Sequence, residues 1–177
     1  MRYYNPYVQA VGATVFNWNY GWILAKTARN SGIVDRVVDF VQFMQAHTRY
    51  DRAVLIGHSN GCEIAWSVSR RTPLVVGLCL NNAALNADTR FPERLKFVHN
   101  WYTPHDKAVW VAKWIPFNRW GGLGAQAYAG VSSNVKNFNK GVGKPHSESH
   151  SDTYTNQKLR EHFLPRQIAE IQKEVTL

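Results

Sequence analysis

Apolar positions along the chain fall into short runs and helical spacings that alternate. Residues 11–16 (VGATVF) read as a short buried strand, followed by the loop NWNYGW. Over 31–47, Val34, Val37, Val38, Val41 and Met44 recur at the spacing of a helix face, with Ser31 placed to cap its start. Ala53 to Ile56 is an apolar run that stops at a glycine, the pattern of a strand ending abruptly. A helix fits 61–70. Leu74 to Leu80 reads as a strand behind Pro73, Leu95 to Tyr102 as another, and 131–138 as a weaker one. The last part of the chain is helical, with Leu159, Phe163, Ile168 and Ile171 on one side and a break or restart at Pro165.

Strands separated by helices specify an α/β fold: a mostly parallel central sheet of about five strands, flanked by helices and joined by right-handed crossovers. The strand cores are apolar throughout, as expected when helices cover both faces. The length, 177 residues, suits one domain spanning 1–177. In sheets of this kind, sites form beyond the carboxyl ends of the strands. The residues that follow each strand therefore matter most.

After the strand at Ala53 to Ile56 comes Gly57-His58-Ser59-Asn60-Gly61, then a helix opening Cys62-Glu63-Ile64-Ala65. This is G-x-S-x-G in a strand–turn–helix context. A sharp turn there lifts the Ser59 hydroxyl clear of the sheet. Bulk two residues to either side would collide, hence the flanking glycines. The free N–H groups and dipole of the following helix suit a developing oxyanion, and the backbone N–H of Asn60 is one donor.

The segment IGHSNGCEIAW resembles the nucleophile elbow of the α/β-hydrolases, in a serine esterase or lipase-like form. The resemblance implies a triad in the order Ser, acid, His. Asp106 follows the strand LKFVHNWY and is where the family places its acid; Asp88 is the competing position. His150, in SHSD before the last helix, is where it places its histidine, and is preferred to His146. Ser59, Asp106 and His150 would then cleave an ester or related acyl bond through an acyl-enzyme. The second oxyanion donor would come from Trp18 or Asn19, where the family often carries an HG motif that this chain lacks.

The same resemblance makes 177 residues a pared-down form of the fold, with homodimerisation left open. Residues 107–130 carry Trp110, Trp114 and Trp120 and a Gly-rich run, Gly121 to Gly124. They read either as a lid or acyl pocket with glycine hinges or as plain cover for a sheet edge. His58 and His105 border the same region. His58 is read as an orienting neighbour rather than the base.

Composition narrows the alternatives. Hydrophobic residues at 45% and charged residues at 19% exclude wholesale disorder. The net charge of +9 and the 7 tryptophans admit a nucleic-acid binder. The basic residues are scattered, however, and no nucleic-acid motif is present, so that reading ranks last. A hydrolase-like binding protein without turnover is the second reading. Cys62 and Cys79 cannot build a disulfide framework, and no signal-like apolar segment opens the chain, so a reduced, cytoplasmic setting is expected. Neither a metal nor another cofactor is expected; the substrate is a small or lipid-like ester.

Overall fold

The chain begins helically because Asn5-Pro6 favours a helix start: Pro6 lacks only an N–H that the first turn would leave unbonded. A 3-10 turn at Arg2–Tyr4 runs into α1, Asn5–Gln9. This is a computed structural model, and it describes residues 2–10, 12–17, 26–112 and 121–175. The elements that follow are α2 (Lys26–His47), β1 (Ala53–His58), α3 (Asn60–Arg71), β2 (Val75–Asn81), β3 (Phe97–Tyr102), α4 (Lys107–Ala112), β4 (Val135–Asn139), α5 (Asp152–Thr155) and α6 (Gln157–Val175).

The four strands form one parallel sheet in the order β1-β2-β3-β4. The architecture is therefore α/β, with helices on both faces. Period-two alternation divides the strand side chains between two cores. Leu78 and Leu80 of β2 and Val98 of β3 join Ile33, Val34 and Val38 of α2 and Cys62, Ile64 and Val68 of α3. Cys79, Phe97 and Trp101 point the other way, to Leu159, Phe163, Leu164 and Ile168 of α6 and Val8 of α1. On that face Trp101 stacks on Phe138 at 4.2 Å between ring centroids.

Three expectations are corrected. The described sheet has four strands, not five: of the strand expected at 11–16, residues 12–16 are described and form none. Gly12 turns there at φ 72°, and Phe16 is 52% exposed, while Val15 packs against the core on the α6 side without joining the sheet. Ser31 does not cap α2 but lies inside it, because the helix is already formed at Lys26. Pro165 does not break α6. Leu164 and Ile168, buried on either side of it, hold the helix against the sheet where local preference alone would interrupt it. Among the described residues, no helix is long and apolar enough to cross a membrane.

Candidate active site

The turn between β1 and α3 is built by backbone constraint. Ser59 has φ 55° and ψ −123°, a conformation that is strained for a side-chain-bearing residue. Two bonds fix it: its N–H donates to the Asn81 carbonyl at 2.9 Å, and its own carbonyl accepts from Cys62 N–H at 3.0 Å. A Cβ at Gly57 would lie 2.8 Å from the backbone of Cys62, so only glycine lets strand and helix approach this closely. Asn60 is the first residue of α3, where backbone N–H groups precede the first intrahelical bond. Its side chain exchanges two 3.1 Å hydrogen bonds with Asn30, which ties α2 to the turn.

Asp106 lies beyond the carboxyl end of β3 and is fully buried. It sits just ahead of α4 and caps it: Oδ1 accepts from Val109 N–H at 3.1 Å. Oδ2 accepts from His150 Nδ1 at 2.8 Å and from Asn82 Nδ2 at 2.7 Å. Burial pushes the Asp106 carboxyl up. The hydrogen bond and charge of His150, with the Val109 and Asn82 donors, outweigh burial and hold it below the ordinary value.

His150 lies on the loop between β4 and α5, with its side chain 20% exposed. Asp152 shapes that loop from behind. Its carboxylate accepts from Ser147 Oγ at 2.5 Å, Glu148 N–H at 2.7 Å and Ser149 N–H at 3.0 Å. Ser147 in turn bonds Thr103 at 3.1 Å, which joins the histidine loop to the acid loop. His58, the last residue of β1, donates from Nε2 to the His150 carbonyl at 2.8 Å, and the two rings lie 4.7 Å apart. Burial and the neighbouring His150 lower the His58 pKa to about 4, so it is neutral at physiological pH. His58 therefore supports His150 through its backbone.

The structure thus joins His150 to Asp106 directly and to the strand preceding Ser59 through His58. No hydrogen bond links Ser59 Oγ to His150. His146, the other candidate, pairs with Glu148 at 2.7 Å instead. Asp88 lies outside the hydrogen-bonded group around His150.

An open cleft beside His150 is lined in part by His105, Lys107, Ala108 and His146; His58 and Trp110 are not among its lining residues. Trp110 stands on α4, 52% exposed. Gly121 to Gly124, offered either as hinges or as plain cover, form a buried turn in which Leu123 and Gly124 donate to the Leu85 and Ala83 carbonyls at 2.9 Å each. Trp18, Asn19, Trp114 and Trp120 lie outside the described residues. Among the described residues, no group of three or more His, Cys, Asp or Glu is placed to hold a metal.

Two residues of the arrangement went unread in the sequence. Asn82, just past β2 at φ 48°, bridges Asp106 to Lys140, whose Nζ donates to Asn82 Oδ1 and, at 3.3 Å, to Thr153. Lys140 is fully buried. Of the asparagine pair at the end of β2, Asn82 faces the site, whereas Asn81 is bonded in the core to Gln167 of α6. Neither that pair nor a single lysine after a weak strand signals the arrangement in the sequence.

Comparison with protein-family models and with curated proteins finds no match. The functional reading therefore stands on the geometry alone.

Proposed function

We propose that the protein is a serine hydrolase that cleaves an ester or related acyl bond, built on a reduced α/β-hydrolase fold. The observation that carries the reading is the convergence of three strand ends. A strained Ser59 opens a helix after β1, a buried Asp106 follows β3, and His150, bonded to that carboxylate, follows β4. On this reading Ser59 attacks the acyl carbon while His150 Nε2 takes its proton. The Asp106 carboxylate holds the Nδ1–H tautomer and stabilises the charged ring. The oxyanion meets the Asn60 N–H and the positive end of α3. His150 then protonates the leaving alcohol, and water reverses the sequence to release the acid.

The test is labelling with a fluorophosphonate probe, which traps an activated serine. Labelling is expected in the wild type and lost in Ser59→Ala. A folded wild type that does not label overturns the reading.

One observation favours a second reading, a hydrolase-like binding protein without turnover: the missing Ser59 Oγ–His150 hydrogen bond. Hydrolase sites without substrate often show loose contacts of this kind. The same experiment separates the two readings.

A further inference from the structure

A buried ammonium without a direct carboxylate partner is costly, and an apolar side chain of similar length would pack there without that cost. Lys140 is such a group. It follows β4, is fully buried, and forms no ion pair within 4 Å among the described residues. Its Nζ is held by Asn82 Oδ1 and Thr153 Oγ1.

The chemistry of the two partners orients Asn82. An ammonium offers only donors, and an ionised carboxylate only acceptors. The amide oxygen of Asn82 must therefore face Lys140, and the amide nitrogen must face Asp106. Its backbone is equally constrained. Asn82 N–H donates to the Trp101 carbonyl at 3.0 Å, and a Cβ on Gly124 would sit 2.3 Å from the Asn82 carbonyl carbon.

We propose that Lys140 is a positioning residue for the Asp106–His150 pair: through Asn82 it keeps the carboxylate ionised and aimed at His150 Nδ1. The role in turnover rests on the hydrolase reading, whereas the positioning itself does not.

The titratable groups around Lys140 come from several elements: the carboxylates of Asp152 on α5 and Asp106 after β3, and the neutral side chains of Cys79 on β2, Cys62 on α3 and His58 on β1. Burial lowers the Lys140 pKa to about 8, against the opposing pull of Asp152 and Asp106. Above that pH the amine becomes neutral and both donates and accepts, so Lys140 no longer holds the Asn82 oxygen as a charged donor, and Asp106 alone orients the amide. The effect on folding has the opposite sign. The unfolded lysine keeps its proton up to its ordinary pKa of 10.5. Between the two values the unfolded state binds more protons, so this group favours the folded state increasingly as pH rises. Alkaline loss of function by this route is therefore not unfolding.

The test follows two readouts as pH is raised from neutral through the Lys140 midpoint, in wild type, Lys140→Met and Asn82→Asp. One is the downfield NMR resonance of the His150 Nδ1 proton, which needs no turnover. The other is the rate of fluorophosphonate labelling. In the wild type, the resonance should shift or broaden and labelling should fall across the midpoint, while circular dichroism stays unchanged. In Lys140→Met, both steps should vanish, with labelling lower throughout by about 10- to 100-fold, the usual loss on removing a group that orients a functional histidine. Asn82→Asp keeps the left-handed backbone but sets a second carboxylate beside Asp106, and should lose the resonance. A Lys140→Met protein matching the wild type in both readouts overturns the proposal. So does a wild-type resonance that stays constant through the midpoint, which decides the matter if the variant does not fold. A Lys140-dependent resonance in a protein that never labels supports the positioning and overturns the hydrolase reading.

Discussion

The Ser59 turn and the His150 arm meet at the same end of the sheet but are made by different physics. The turn is contiguous, from Gly57 to Gly61, and its geometry is written into the backbone: a left-handed serine, a glycine that no Cβ can replace, and a helix start. The arm is assembled from Asn82, Asp106, Lys140, His150 and Asp152, which come from three separate loops and one helix start. Side-chain hydrogen bonds in a buried polar setting hold it together. The turn tolerates little substitution because space is exhausted. The arm tolerates little because its buried polar groups satisfy one another, so removing one leaves others unpaired.

That contrast can be broken from either side. The largest effect is expected from the arm, under the hydrolase reading. Asp106→Asn keeps the shape but presents an amide to His150 and reverses its tautomer. Turnover of a short-chain nitrophenyl ester should drop about 10⁴-fold, with folding retained by circular dichroism. A drop below tenfold would remove Asp106 from the mechanism.

On the turn side, Gly57→Ala forces a methyl group within 2.8 Å of the Cys62 backbone. Chemical denaturation should show a loss of about 1–3 kcal/mol, the range for overpacking a closed site. Unchanged stability would mean that the turn relaxes freely. The smallest effect belongs to the neighbouring histidine. His146 is 40% exposed and paired only with Glu148, so His146→Ala should leave ester turnover within about twofold and stability within about 0.5 kcal/mol. A large loss would move the base from His150 to His146.

The same contrast explains what the chain discloses before folding. The strands β1 to β4, the helix after Ser59 and the last helix are all visible in apolar spacing, because burial dictates that spacing. G-x-S-x-G is visible because its requirement is local. Asp106 and His150 stand out only through a resemblance, by order and position after strands. Asn82 and Lys140 stay hidden because nothing local demands them; their meaning arises when β2 and β4 bring residues 58 positions apart into contact. The strand expected at 11–16 fails for the converse reason. Apolar composition marks a candidate, but pairing decides, and the segment after the Gly12 turn pairs with no strand of the described sheet.

The order of strands in space equals their order in the chain. A sheet of this kind grows at one edge, each new strand docking on the one made just before it, so no early strand waits for a distant partner. The polar groups arrive in the same succession: Ser59, Asn82, Asp106, Lys140, His150. During synthesis the Ser59 turn is completed first and His150 last of these groups, once the strands beneath it have paired. On the hydrolase reading, a nascent chain would thus carry a formed but unactivated serine until the loop of His150 docks.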